Sequence, residues 1–410
     1  MNPYDVDVPA LLVTVGSHIW DYGALATVRS LGRVGIPVYA TVPRLDSPTA
    51  ASRYLTEPIL WETEGFEPEA ELLDGLRAAA QRVGRPAVAI AGDDETAVLL
   101  ARHRDELSDL LILPDLPGEL PARLASKSGL AELCAEYGAA APRSATPADW
   151  AQVDEFVAQA TFPLVLKNPE PFSRWGAPAV SRTTKVEDAA ELREALADWR
   201  PGAPLLLQEY VPADVSEDWY AAGVFDRGEP FVMFSGRKLR SYPAGTGIGT
   251  LSESQRNPRL LGLAAHFAKA IGYAGVCDMD WRYDRRDDTY KLLDYNPRRG
   301  AQFRMFRTTA DVDVVRALHL MLTGRVLPPG HQVDGVRHVV GVTDQRAYLS
   351  QCGADHARYP AVQRGDVERA WWAADDLRPV ATFVSQLQVG KRLHNLVDRA
   401  RGARRSDDRA

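Results

Sequence analysis

The chain has 410 residues, 45% of them hydrophobic and 25% charged, which is enough for a large buried core spread over roughly two to four domains. Its formal net charge of −7 argues against nucleic acid or an anionic membrane as a partner held by bulk electrostatics, because such binding draws on surplus Lys and Arg. Cys134, Cys277 and Cys352 are too few and too scattered for a disulfide framework, and the opening MNPYDVDVPALLVTVG carries neither a basic leader nor a long apolar run, so a cytoplasmic protein is expected.

The first part of the chain alternates as βαβ units do. Strands are predicted over 10–15 (ALLVTV), 36–41 (IPVYAT), 86–91 (PAVAIA) and 110–114 (LLILP), with helices over 24–33, over 68–83 and from Glu95. This pattern predicts a doubly wound, open parallel sheet over residues 1–117. Its first turn, GSHIWDYG, lacks the G-x-G-x-x-G of dinucleotide sites. Ligands of such sheets gather at the carboxyl ends of the strands, so Gly16, His18 and the GDD at 92–94 are either site residues or ordinary turn and cap residues. The Pro and Gly of LPGELPARL mark a boundary near 117.

Beyond it the pattern changes to α+β. A helix over 128–137 ends at Gly138, and the next starts from Thr146 or Asp149 as cap. A strand FPLVLK (162–167), a loop NPEPFSRWGA, a helix over 187–199 and a strand PLLLQEYV (204–211) follow. Then come two strand-rich stretches, DWYAAGVFD and PFVMFSGRKLR, a helix over 256–271 and the hairpin GVCDMDWRYDRRDDTYKLLDYN. In the last segment, 331–410, HVVGVT reads as a strand, WWAADDLRP as a helix end or turn, and FVSQLQVGKRLHNLV as an amphipathic helix packing on the body, before a disordered tail from about 401.

The hairpin is chemically unusual. Cys277, Met279, Trp281 and Tyr283 alternate with Asp278, Asp280 and Arg282, and on the returning strand Leu293 and Tyr295 alternate with Asp294 and Asn296. Acidic residues facing each other across two strands repel unless a cation offsets them. Two carboxylates and an amide are oxygen donors suited to Mg²⁺; the alternative is a solvated acidic face. Only seven of the 48 basic side chains are lysines, so a lysine at a special place stands out. Lys167 ends the apolar run LVLK, where a cation suggests an anionic ligand such as phosphate. Lys127 follows the Pro-rich boundary and reads equally as a surface cation.

Taken in order, SKSGLAELCAEYGAAAP, FPLVLKNP, LLLQEYVP, FSGRKLRSYP with GTGIGT, GYAGVCDMDW and LLDYNPR resemble the ATP-grasp superfamily, and within it the predicted carboxylate-amine ligases akin to D-aspartate ligase. The similarity covers roughly residues 10–325. It implies an α/β and α+β fold: an N-terminal open parallel α/β (pre-ATP-grasp) domain, 1–117, then the two-lobed ATP-grasp fold, with a small lobe over 118–203, a large lobe carrying the metal site over 204–330, and a C-terminal extension over 331–410.

The resemblance also implies site roles. Lys127 and Lys167 match the lysines on the nucleotide phosphates. Gln208 matches the side chain facing the adenine amino group, with the backbone of Glu209 to Val211 on the purine edge, and Glu217 or Asp218 matches the ribose acid. Asp280, Asp294 and Asn296 match the magnesium ligands, with Asp278 competing for the first place; the 14-residue spacing of Asp280 and Asp294 suits a short hairpin. Arg298 matches the arginine beside the reacting phosphate. Lys238 is a second catalytic candidate, and Arg240, on its strand, either holds the acid substrate or pairs with a surface acid. Gly247, with Gly245 and Gly249, permits close backbone approach to a ligand or makes a mobile turn. Arg299 and Arg304 are further substrate-binding candidates. Gln208 departs from the commoner Glu, and the loop after Lys167 is poor in glycine for one that covers phosphates.

The implied reaction activates a carboxylic acid, an amino acid or a related small acid, with ATP and Mg²⁺ (or Mn²⁺), and joins it to an amine as an amide, releasing ADP and phosphate. No phosphate-binding P-loop, H-E-x-x-H or G-x-S-x-G motif is present. Two rival readings are a biotin-type carboxylase, although no lysine lies beside a methionine, and a nucleotide-binding module without turnover. The partners expected are small molecules, with no nucleic acid or membrane and with a homodimer left open.

Overall fold

The computed structural model of the chain describes residues 2–169, 183–244, 247–352 and 365–387. Most of the loop after Lys167, Gly245, the end of the helix expected over 383–397 and the tail from 401 lie outside these residues.

Three sheets carry the fold. The first is five-stranded and wholly parallel, with β1 (Ala10–Val13), β2 (Val38–Val42), β3 (Glu57–Leu60), β4 (Ala87–Ala91) and β5 (Leu111–Ile112) in the order β3-β2-β1-β4-β5. β1 and β4 are buried along their whole length, because helices cover both faces. The edge strand β3 escaped the sequence reading: EPIL is short, half-exposed and interrupted by Pro58, as edge strands tolerate. Asp93 caps the helix Asp94–Arg102 by accepting the Thr96 N–H at 2.7 Å, and its other oxygen accepts the Val15 N–H at 2.7 Å. One side chain thereby ties the carboxyl ends of β1 and β4 together.

The second sheet is small and antiparallel, with β6 (Ser144–Ala145), β7 (Leu164–Lys167), β8 (Thr184–Val186) and β9 (Leu206–Glu209) in the order β6-β9-β7-β8. Val153 and Phe156 of the helix Trp150–Gln159 pack on Leu164, Leu166 and Leu207. Asp149, rather than Thr146, caps that helix. β9 sits inside this sheet, so the small lobe runs past the expected boundary at 203. The apolar side chains Leu205 and Leu207 belong to its core, and nothing in their pattern says which sheet they join.

The third sheet has seven strands: β10 (Ser216–Asp226), β11 (Glu229–Tyr242), β12 (Ile248–Ser254), β13 (Gly275–Asp284), β14 (Thr289–Asn296), β15 (Arg337–Val339) and β16 (Val367–Arg369), in the order β14-β13-β10-β11-β12-β15-β16. On one face Trp219, Phe225, Cys277, Met279 and Tyr295 pack beneath the helices Lys127–Tyr137 and Pro258–Ala270. On the other, Ala222, Val224 and Phe234 meet the helix Val314–Leu322 and, through it, Leu12 and Val28 of the first sheet. The period-two alternation of β13 therefore divides its side chains: Cys277, Met279 and Trp281 go to one core, and Asp278 and Asp280 to the opposite face, beyond the end of the second core.

The C-terminal extension is part of this body. The expected strand HVVGVT is a strand only to Val339; Gly341, with a positive φ, turns the chain into a helix Gly341–Cys352. Asp376 of WWAADDLRP pairs with Arg29 on the first domain's helix Tyr22–Gly32, and Asp375 with Arg33, the residue that caps that helix. Residues 378–387 are helical. Among the described residues no helix is long and apolar enough to cross a membrane.

Candidate active site

The site grows from the β13–β14 hairpin, where Asp280 lies opposite Asp294 and Asp278 opposite Asn296. Lower in the hairpin Trp281 pairs with Leu292, so unbroken pairing would set Leu293 opposite Asp280. A bulge at Leu293 advances the register by one residue and brings the second carboxylate across from the first.

A cavity of about 700 Å³ opens over this face, between the hairpin and the small sheet. Lys127, Lys167, Gln208, Glu209, Val211, Asp218, Lys238, Gly247, Asp280, Asp294, Asn296 and Arg298 all line it. Lys127 is the first residue of its helix, fixed by the Ser126 cap, and its ammonium pairs with Asp294. Lys238 Nζ lies 2.8 Å from Asp280 Oδ1, and Lys167 Nζ donates to Gln208 Oε1 at 2.9 Å. Arg298 Nε meets Asp94 of the first domain at 3.1 Å, and its Nη2 donates to Asn296 Oδ1 at 3.0 Å. Asn296 Nδ2 in turn donates to the Asp278 carbonyl at 3.1 Å.

These pairings set the charges. Burial alone would raise the Asp294 carboxyl, but Lys127 and Lys167 hold it below its usual value. Burial would lower the Lys238 ammonium, yet Asp280 and Tyr220 hold it well above the lysine range. Lys167 faces another ammonium, so burial and then Lys127 bring it down to about 8. Asp278 goes the other way, pushed up to about 7 by burial and by Asp280.

One end of the cavity is built from β9 and the residues after it. The N–H groups of Glu209 and Tyr210 donate to the carbonyls of Arg143 and Pro163, each at 2.9 Å, and the Val211 carbonyl accepts from Arg282 Nη1 at 2.9 Å. Arg282 also grips Asp218 with two hydrogen bonds, at 2.7 and 3.1 Å. The Gly247 N–H donates to the Pro243 carbonyl, and a Cβ at Gly247 would fall 2.0 Å from the Tyr242 backbone.

Four expected site residues lie elsewhere. Glu217 turns from the cavity to Arg285 at 2.8 Å and Arg237 at 3.4 Å, which leaves Asp218 as the acid that lines it. A register irregularity after Lys238 breaks the shared face with Arg240, whose guanidinium pairs with Asp344 at 3.1 Å and covers the Tyr348 ring. Arg299, 2% exposed, pairs with Asp21 at 3.2 Å against Gly23, where a side chain would collide with it. Arg304 is held by Asp313 and, at 3.2 Å, by Glu368. These arginines join the first domain and the C-terminal segment to the large sheet.

Asp94, Arg282, Tyr22 and Gln302 were not singled out from the sequence as site residues, apart from Asp94's place in the GDD triplet. The alternation of Arg282 with Asp280 was the one further signal available.

Among the described residues no group of three or more His, Cys, Asp or Glu could hold a metal by itself. Two carboxylates and one amide oxygen nonetheless fit Mg²⁺, which keeps waters and is commonly shared between one or two carboxylates and a polyphosphate.

No protein-family model matches the sequence. The chain is 25% identical over 273 residues to D-aspartate ligase of Enterococcus faecium (strain Aus0004), an alignment covering 62% of this chain and 63% of that one. It is structurally similar to N5-carboxyaminoimidazole synthetase from Staphylococcus aureus complexed with ADP, with a TM-score of 0.60 at 13% identity and 80% of each chain covered. The chain has the two-lobed fold of that synthetase. An L-amino acid ligase from Bacillus licheniformis shares the fold, with a TM-score of 0.58 at 15% identity over 77% of this chain and 74% of that one. In this chain the cavity is lined by residues of both the small antiparallel sheet and the larger one.

Proposed function

We propose that the chain is an ATP-dependent, ADP-forming carboxylate-amine ligase. The observation that carries the reading is the convergence of Lys127, Lys167, Lys238 and Arg298 with Asp280, Asp294 and Asn296 on one cavity. Phosphoryl transfer needs positioning and charge neutralisation more than covalent help, and this set offers both.

Lys127 and Lys167 hold the polyphosphate, Gln208 and the backbone of 209–211 hold the adenine, and Asp218 holds the ribose. Asp280, Asp294 and Asn296 hold Mg²⁺, for which Mn²⁺ can substitute; when bound, the ion neutralises the phosphate oxygens. Lys127 and Lys238 already balance Asp294 and Asp280 within the protein, so a polyphosphate arriving with its cation lets both sets exchange partners with little change in buried charge.

A carboxylate oxygen of the acid attacks the γ-phosphorus, the bond from that phosphorus to ADP breaks, and an acyl phosphate forms. The amine nitrogen then attacks the acyl carbon, the carbon–oxygen bond to phosphate breaks, and the nitrogen loses a proton to leave the amide. Arg298, held by Asp94 and Asn296, steadies the negative charge that moves across both steps. The buried, unpaired thiols Cys134 and Cys277 accord with a cytoplasmic setting.

ADP and phosphate release is measured with panels of amino acids and small acids, with and without amines, and with hydroxylamine to trap the acyl phosphate as a hydroxamate. Acid-stimulated release with hydroxamate formation is expected. Nucleotide binding that no acid converts into turnover would make the chain a binding module, and stimulation by bicarbonate alone would make it a carboxylase.

A further inference from the structure

One carboxylate in the cavity is left over from this scheme. Asp278 lies on the cavity face of β13, two residues before Asp280, and is 4% exposed. Asp280 and Asp294 each have a lysine; among the described residues no Lys, Arg or His nitrogen lies within ion-pair distance of Asp278. Among the described residues its oxygens accept from Gln302 Nε2 alone, at 3.1 and 3.2 Å. A carboxylate has room for about four hydrogen bonds, and a buried one facing a neutral amide is costly unless a cation meets it.

The carboxylate lines the same cavity as Asp280 and Asp294. Its neighbours belong to the loop after Arg298: a Cβ at Gly300 would fall 2.5 Å from its carboxyl carbon, and Gln302 is two residues further on. That loop thus sets an anion, Asp278, beside the cation Arg298. Tyr22 also lines the cavity, close enough to feel both charges, and burial keeps its hydroxyl neutral, with the pKa raised to about 12. A neutral hydroxyl and a carboxylate lining one cavity suit a primary ammonium group.

We propose that Asp278 is the anchor for the ammonium group of an amino substrate, which makes that substrate an amino acid or similar primary amine bound with its nitrogen between Asp278 and Tyr22, next to the acyl group held at Arg298. This rests on the ligase reading. It adds a residue that selects the amino group. A site built around a buried anion rejects an analogue lacking the matching cation, because the anion is then left unpaired.

Calorimetric titrations, with and without MgADP, compare the twenty common amino acids, D-alanine and D-aspartate with their desamino analogues, for example alanine with propionate and aspartate with succinate. The wild type is expected to bind at least one amino acid ~30-fold or more tightly than its analogue. Asp278→Asn is expected to bring that ratio within about threefold, with the MgADP affinity changed by less than about twofold. Gly300→Ala, which places a methyl group where the carboxyl sits, is expected to erase the preference as well. The wild type alone can overturn the assignment, by preferring no amino acid over its analogue. So can an Asp278→Asn protein that keeps the ratio, or one whose loss is of MgADP binding, which would make Asp278 a metal ligand. Failure of the wild type to bind MgADP would instead sink the ligase reading.

Discussion

Arg298 offers the sharpest test of how the cavity is held together, because its two side-chain partners come from different parts of the chain. Asp94 at 3.1 Å belongs to the first domain and Asn296 at 3.0 Å to the hairpin. The Arg298 and Asp94 side chains are 21% and 24% exposed, and burial raises the Asp94 carboxyl above its usual value despite Arg298. Removing one partner of a buried ion pair costs about 3–5 kcal/mol, and for a pair a fifth exposed we take the lower end, ~3 kcal/mol, as the stability loss of Arg298→Ala. The double variant Arg298→Ala with Asp94→Ala leaves no orphaned charge and should recover about half of that loss. Activity should behave differently. Loss of a charge-stabilising donor costs roughly 10²–10³ in kcat, so Arg298→Ala should fall that far and the double variant should not recover. Asp94→Asn keeps the guanidinium but loosens it, and should lower kcat about tenfold. Urea denaturation and acid-dependent ADP release measure the two quantities. An Arg298→Ala enzyme within threefold of wild-type kcat, or a double variant no more stable than the single, would refute this account of the arginine.

Asp294→Asn should abolish turnover while leaving the fold intact, because among the described residues the carboxylate's one ion pair is with Lys127; circular dichroism and ADP release together check this. Arg240→Ala should leave substrate affinity unchanged and cost on the order of 3 kcal/mol in urea denaturation, since it strips the buried Asp344 of its guanidinium. The proposed nucleotide site uses charged Lys167, which burial and Lys127 bring down to about 8, so ADP affinity should hold below that pH and fall above it in titrations from pH 6 to 10, and Lys167→Arg should flatten the curve. The same shift acts on stability with the opposite slope. The unfolded lysine keeps its proton up to about 10.5, so this group's contribution to stability rises between about pH 8 and 10.5.

The hairpin was the most legible part of the sequence, since alternation, a polar turn and the stop at Pro297 all pointed to two antiparallel strands with acids on one face. The bulge at Leu293 that aligns Asp294 with Asp280 had no sequence signal, because pairing register depends on backbone geometry. The parallel sheet was legible through its apolar runs, and β3 was not, being short, half-exposed and interrupted by Pro58. The arginines were the chief misreading. Arg240, Arg299 and Arg304 stand near the motifs in sequence, yet their partners Asp344, Asp21 and Glu368 lie far along the chain, and only tertiary packing reveals that these side chains face away from the cavity. Asp94 is the converse case, a residue of the first domain that reaches the site across 204 positions of sequence.

The central claim is ligation through an acyl phosphate, and the fate of the acid's oxygen tests it directly. The protein is incubated with ATP, Mg²⁺, amines and a pool of amino acids labelled with ¹⁸O in the carboxylate, and the released phosphate and products are weighed by mass spectrometry. Ligation predicts phosphate carrying one ¹⁸O together with an amide that has lost one. Phosphate released without label would show that water, and not the acid, had attacked the γ-phosphorus, and would contradict the account.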